Sequence, residues 1–461
     1  MTDFWASPSG GGSGASAGSP TLIGTWLASV DCAAGNRLWL LDGTYTGATS
    51  MIVAISGHSG TPGNYITIQA VNEGNVLLDG QGARIPVRGA SVAGTTDYYN
   101  IIGINAKNSS SDLYQLQRVD GWLMQRCCGW DAADLNTILF AINYGSNNVI
   151  EDCAGWGTAR KGLLFFSTVG PNVARRCFFK WSESTQVGPK IAMSLFYNSF
   201  LTTLENCITC WDGVTMPASY EILDADGTPR PYPGSPGAAC SFGGVVQADQ
   251  ACLMTGQKVD TAYGTFGMDQ MNNYPAGTPV NSRWLGCIAY GRAGATFQVP
   301  RLVFMSNSNS ITAKDMVAIF DPAGDFAAKK TFDLFGGLPV GGPWNLTATN
   351  LSSFKGNSAG KNIHAQWTQT NIIEGTSPAS FYLPGETLYN TTRGAQIRYR
   401  YQDGVLTTNE LWPWPMNQRI KDASLASGYD QVDIDADMQN YFGPYPTTPV
   451  VETAGVWFTY A

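Results

Sequence analysis

Between Asp120 and Gly213 the chain writes one short pattern four times. The copies are Trp122-Leu-Met-Gln-Arg-Cys-Cys-Gly-Trp130, Val149-Ile-Glu-Asp-Cys-Ala-Gly-Trp156, Val173-Ala-Arg-Arg-Cys-Phe-Phe-Lys-Trp181 and Leu204-Glu-Asn-Cys-Ile-Thr-Cys-Trp211. Each starts apolar, carries polar or charged residues before a Cys, and places a Trp three or four positions beyond it. With Cys127, Cys153, Cys177 and Cys207 taken as equivalent, the steps are 26, 24 and 30 residues. Trp284-Leu-Gly-Cys-Ile-Ala-Tyr290 is a looser fifth copy. Repeats at such a period signal a solenoid or an array. The units are short and β-rich and lack a helical apolar stripe, so each reads as one coil of a parallel β-helix. Equivalent residues of successive coils then lie one above another. The Cys residues form an inner column, where Cys acts as a small buried hydrophobe, and the charges after each Trp lie side by side on the surface.

A solenoid absorbs all 461 residues as one body. The 53 Gly and a charged content of only 13% favour turns and strands over surface helices. A net charge of −8 argues against non-specific nucleic-acid binding, which needs Lys and Arg to neutralise phosphates. It leaves room for a local basic patch that meets an acidic sugar polymer. No basic segment followed by an apolar one marks a signal peptide, and no apolar run is long enough to span a membrane. Ten Cys in this length is not the density of a disulfide scaffold. With two His, His58 and His364, in unrelated contexts, a zinc site or a Ser-His-Asp triad is disfavoured.

Residues 1–35 read as a cap: a strand at Phe4-Trp5-Ala6, a Gly turn, and a short helix through Leu22, Trp26, Leu27 and Val30. Coils run from Asn36 to about 345, with Pro-rich 213–282 as a long loop insertion. Residues 346–461 hold the last coil or coils and a β-rich C-terminal extension. In that extension, Trp412-Pro-Trp-Pro415 is either a packing clamp against the solenoid or an exposed aromatic platform, and the clamp is favoured. Asp433-Ile-Asp435-Ala-Asp437 lacks the Gly and Glu of a calcium-binding loop and reads as a solvated acidic loop.

The opening resembles that of right-handed parallel β-helix proteins, the fold of pectate lyases, other polysaccharide lyases and phage tailspikes. The matching pieces are the aromatic strand before Ser7-Pro8-Ser9-Gly10, the Leu-Asp-Gly-Thr-Tyr turn at 41–45, and Ile66-Thr-Ile-Gln followed by Leu78-Asp-Gly. The resemblance covers about 1–215 well and 280–320 weakly. It implies an all-β, right-handed solenoid and activity on a polysaccharide or cell-surface glycan; fold alone does not carry function.

Any activity is sought just past each Trp, where Asp131 and Asp134, Arg160 and Lys161, Glu183 and Lys190, and Asp212 would stack at about 4.8 Å intervals. Alternating charges stabilise such a row with no function at all. By resemblance, a lyase uses Lys or Arg as base and Ca²⁺ or further cations to neutralise a uronate carboxylate. Lys161 beside Arg160, with Arg176 and Lys180 one coil on, meets the first need; Asp131, Asp134 and Asp212 supply hard oxygen ligands for Ca²⁺. Hydrolysis would need two carboxylates about 5 to 9.5 Å apart, and Asp131 or Asp134 with Glu183 offers them. Trp130, Trp156, Trp181 and Trp211 are either stacked core aromatics or a platform for sugar rings. Two functions remain open. One is a glycan-binding, glycan-cleaving β-helix. The other is a non-enzymatic virion or extracellular surface protein using the solenoid as a rigid arm, with the aromatic tail at 385–461 as an oligomerisation module, trimeric by resemblance.

Overall fold

A computed structural model describes residues 1–89, 95–168, 170–181, 191–196, 199, 201–211, 282–291, 301–305, 310–334, 345–377, 398–402 and 404–442. Between 212 and 281 it describes the backbone of six short strands, 222–223, 229–230, 246–248, 252–255, 258–261 and 266–268. The strands build three long parallel sheets, here sheet 1 (13 strands), sheet 2 (12 strands) and sheet 3 (11 strands). Each coil visits sheets 1, 2 and 3 in turn, which makes the chain a parallel β-helix of the right-handed kind that parallel crossovers favour. The first strand, Asp3–Ala6, already pairs with Arg37–Leu40 in sheet 1. Helix α1 (Ile23–Leu27) buries Ile23, Trp26 and Leu27 against the open end of the coils, whereas Val30 points to solvent. Strands 246–248, 252–255, 258–261 and 266–268 take their places in the three sheets, so a full coil passes through the stretch read as an insertion.

The repeated pattern is the corner from sheet 1 to sheet 2. Register makes Cys127, Cys153, Cys177 and Cys207 equivalent, and all four are buried, as is Cys287 two coils further on. Each of the four thiols faces the carbonyl two residues back and one on the previous coil: Cys153 Sγ lies 3.3 Å from Glu151 O and 3.5 Å from Met124 O. The residue before each Cys turns the corner with positive φ, 52° at Arg126, 51° at Asp152, 49° at Arg176 and 50° at Asn206. Such a backbone strains residues with a Cβ. It persists because the corner amides of Arg126, Asp152 and Arg176 donate to the next coil, to Glu151 O (3.0 Å), Arg175 O (3.1 Å) and Glu205 O (2.9 Å). At Gly286 (φ 63°) a Cβ would come within 2.1 Å of the Tyr401 ring, so Gly is needed for close approach as well as for φ.

Tyr114 and Phe140 stack inside at 4.3 Å, and Phe179 meets Phe140 edge-on. The Gly before each of Trp130 and Trp156 makes room for them: a Cβ on Gly129 would strike Leu113 and Tyr114, and one on Gly155 would strike Phe179.

The C-terminal extension opens with the expected β structure and adds two helices. Over 398–442 it is one antiparallel hairpin (Tyr399–Gln402 with Val405–Glu410) followed by α2 (Asn417–Ala426) and α3 (Ile434–Phe442). It lies along the outside of sheet 2, where Leu411, Trp412, Trp414, Met416, Ile420, Val432, Ile434 and Met438 bury Cys128, Trp130, Ala154 and Trp156. Trp412-Pro-Trp is therefore a clamp on the solenoid. Asp433 and Asp435 are not a solvated loop: they bond Asn417, Lys421 and the Trp414 amide and tie the two helices together.

Candidate functional site

Trp130 and Trp156 are neighbours in register and stack in parallel at 5.6 Å, facing outward from sheet 2. They are 5% and 1% exposed, because the C-terminal strap covers them, so neither is a sugar platform. The expected four-Trp column divides into two pairs. Pairing of Gly155 with Phe179 sets Trp156 opposite Lys180, while Trp181 pairs with Trp211 one register position later. A Trp three residues after Cys and a Trp four residues after it thus fall at different register positions, and one residue of shift exchanges faces in a strand. The Trp181 and Trp211 side chains, with Glu183, Lys190 and Asp212, lie outside the described residues.

The expected cation cluster does not form. Arg160 and Lys161 open a strand of sheet 3, and Lys180 lies within sheet 2. Arg176 is at the sheet 1–sheet 2 corner, where its guanidinium meets Asp152 (2.7 Å) and Glu151. Burial acts against its charge, but those two carboxylates outweigh it and raise Arg176 above the ordinary arginine range. Arg175 pairs with the same Glu151 at 2.7 Å. Burial pushes the Glu151 carboxyl up, and Arg176 and Arg175 together carry it below its ordinary value. The mixed-charge row thus exists, but just before the Cys: Gln125, Glu151, Arg175 and Glu205 share one register and Arg126, Asp152 and Arg176 the next.

Asp131 does not present itself as a free metal ligand. Its Oδ1 accepts hydrogen bonds from Tyr429 Oη (2.6 Å) and Thr158 N (3.0 Å). No group of three His, Cys, Asp or Glu side chains among the described residues could hold a metal ion.

The outer face of sheet 3 presents a different constellation. The strands Val87–Arg88, Tyr114–Gln117, Ile138–Asn143 and Lys161–Phe166 run side by side. Tyr114, Phe140, Ile142, Leu163 and Phe165 point into the core. Alternation therefore turns Arg88, Gln115, Ala141 and Leu164 outward as one row, and Gln117, Asn143 and Phe166 as the next. Ile138, Ala141 and Leu164 form an apolar floor with Phe166 against it. At the exit corner the Arg118 guanidinium lies 5.3 Å from the Tyr144 ring, which meets Phe166 edge-on at 5.4 Å. Tyr144 is 44% exposed. Among the described residues, neither Arg88 nor Arg118 has a carboxylate partner.

At the entry edge stand Asp112 and Lys161, 7% and 6% exposed. Asp112 Oδ1 accepts the Ile138 amide (2.9 Å) and Oδ2 accepts Gln115 Nε2 (3.2 Å). Burial raises this carboxyl above the ordinary aspartate value, opposed in turn by Gln115, the Ile138 amide and the Lys161 charge. Of the cations and carboxylates singled out by sequence, Lys161 and its neighbour Arg160 belong to this edge, and Asp134 lies in the segment that leads into Ile138, where Ala133 N donates to Ser111 O (3.3 Å). Arg118, Tyr144 and Asp112 went unnoticed because they precede Cys127 or fall between the Trp and the next apolar start, outside the repeated pattern. The signal available was a polar residue after each sheet 3 strand, Arg118, Tyr144 and Ser167, all with positive φ.

No protein-family model and no curated protein matches the sequence. Solved structures do. A rhamnogalacturonan lyase aligns over 92% of this chain and 98% of its own, at 12% identity and a TM-score of 0.45. A mannuronic acid specific polysaccharide family 6 lyase from human gut microbiota aligns over 84% and 85%, at 12% identity and 0.40. A surface adhesin of Streptococcus pneumoniae aligns over 84% and 94%, at 10% identity and 0.38. No helix among the described residues is long and apolar enough to cross a membrane.

Proposed function

We propose that the protein binds an acidic polysaccharide along the outer face of sheet 3. The observation that carries this is Arg118 over exposed Tyr144, with Arg88 on the adjoining strand opposite Gln115 and, among the described residues, no carboxylate paired with either guanidinium group. Sugar rings offer apolar faces to aromatics, uronate carboxylates accept paired bonds from Arg, and Gln115, Gln117 and Asn143 supply amide donors and acceptors for hydroxyls. Coils repeat every ~4.8 Å, so an extended polymer lying along the solenoid axis meets the same kind of side chain again on successive coils. A polymer of this kind belongs to a cell surface or matrix, which suits an extracellular or virion-borne protein.

Calorimetric titration with polygalacturonate and alginate, against neutral dextran, tests the proposal. At least one acidic polymer should bind, more weakly as salt rises. Arg118→Ala and Tyr144→Ala should each weaken it about tenfold, the equivalent of ~1.4 kcal/mol. Equal binding of dextran, or unchanged affinity in both variants, would overturn it.

A further inference from the structure

We propose that Glu374 and Gln369 close the last coil of the solenoid and keep its end from pairing with the end of a second copy. Exposed strand edges invite such pairing, and inward-pointing charges are one way to prevent it. The last strands of the three sheets are Gly360–Ile363 in sheet 3, Thr368–Thr370 in sheet 1 and Ile373–Gly375 in sheet 2. Among the described residues no strand pairs with their outer edges, and Thr368, Gln369, Thr370 and Glu374 are exposed.

Register fixes the direction of the side chains. Gln369 follows Ala313 and Ala348 in one column, and Glu374 follows Ala289, Ala318 and Ser353 in another. All four alanines belong to the inner core, so Gln369 and Glu374 occupy inward positions on the one coil that has no successor. Trp367 (3% exposed) fills the lumen beside them, with Ile363 and Ile372 packed against the same core. An apolar interior thus ends in an amide and a carboxylate.

Glu374 is held in place. Its Oε2 accepts the Lys361 amide (2.7 Å) and Ser353 Oγ (3.4 Å), and Ser353 Oγ in turn lies 2.6 Å from Thr331 Oγ1. Lys355 Nζ is 3.9 Å from Oε1. Gly360 (φ 81°) makes the room, since a Cβ there would come within 2.5 Å of Oε2. The carboxylate and the Lys355 ammonium both keep contact with water. Covering them with another coil would strip that water, at a cost that the few hydrogen bonds of a three-residue strand do not return.

The occupant kept away is the last coil of a second copy, because the first coil is already covered. There Trp5 N donates to Gly14 O (2.9 Å) and Ser7 N to Thr21 O (3.1 Å), and α1 buries Ile23, Trp26 and Leu27. Two last coils related by a twofold axis would set Thr368–Thr370 antiparallel to its own copy and place both Glu374 carboxylates in one interface.

The test compares the full chain with Glu374→Leu and with Gln369→Leu/Glu374→Leu by sedimentation over a range of protein concentrations, with thermal unfolding as the check of the fold. The parent's mass should stay constant. Both variants should reach twice that mass as concentration rises, and amide exchange across 368–375 should slow in the doubled form. Adding Thr370→Lys puts a charge on the outward row of the same edge and should restore the parent's mass. If the double variant does not fold, Glu374→Leu alone decides. A folded Glu374→Leu protein that keeps the parent's mass at every concentration would overturn the proposal. Association that leaves exchange across 368–375 unchanged, or that Thr370→Lys does not reverse, would overturn it equally.

Discussion

Glu151, Asp152, Arg175 and Arg176 show how a residue pattern can be visible and its role missed. The sequence marks them plainly as the charges before each Cys, yet activity was sought after the Trp. Stacking sets opposite charges on adjacent coils, and burial makes each depend on the other. Removing one partner of a buried pair leaves a charge without compensation, so Arg176→Met should cost about 3–5 kcal/mol, read as a lower denaturant midpoint. The same variant should change the acid response. The Glu151 carboxyl is held below its ordinary value of 4.5 in the folded protein. Its contribution is therefore complete above that value and is lost as pH falls through the lower, folded one. Denaturant midpoints measured across this window should fall with acid in the parent and fall less in Arg176→Met. Equal slopes would show that Glu151 is not the group responsible.

At the scale of elements, the strap matters most. Residues 398–442 belong to the tail that one of the two readings makes an oligomerisation module, and they fold onto their own solenoid. Asn206, a corner residue with positive φ, behaves like a length of strand: its Nδ2 donates to Tyr401 O (2.7 Å) and its Oδ1 accepts Tyr401 N (2.9 Å). Further along, Arg419 reaches Glu73 (3.5 Å) and Asn105 (3.1 Å), and Trp156 Nε1 donates to Ser427 Oγ (3.0 Å). Asn206→Ala leaves two backbone groups without partners, at roughly 1–3 kcal/mol each. Amide exchange should quicken across 399–411 while the core strands stay protected, and unchanged exchange there would remove Asn206 as the anchor. Trp156→Ala should cost about 3–5 kcal/mol, as for any large buried aromatic, and loosen α2 in the same measurement.

For the whole molecule, the inner column offers a probe of integrity. Eight described cysteines are free thiols and all are buried. Burial pushes Cys153 and Cys177 of the column well above the ordinary thiol value, and Cys128, beneath the strap, up to about 11; a protonated, inaccessible thiol is a poor nucleophile. Thiol reagents should therefore leave these cysteines unmodified in the native protein and react as the solenoid opens, tracking unfolding. Rapid labelling of Cys127 or Cys153 at neutral pH would contradict the tight interior described here.

The sequence by itself determined the solenoid, the equivalence of the Cys positions and the coil corners, because these follow from strand pairing between neighbouring coils some 24 to 30 residues apart. Periodicity records that pairing directly. Only the tertiary structure decided which outer faces stay open. Sheet 2 is closed by contacts such as Tyr429 with Asp131, 298 residues apart, and Arg419 with Asn105, 314 apart, and no local period encodes a partner that distant. Trp130 and Trp156 look like a sugar platform in sequence and are a buried seam in the fold. Arg118 and Tyr144 look unremarked in sequence, and the coiling of sheet 3 sets them side by side at its exit corner, with Tyr144 exposed among the described residues.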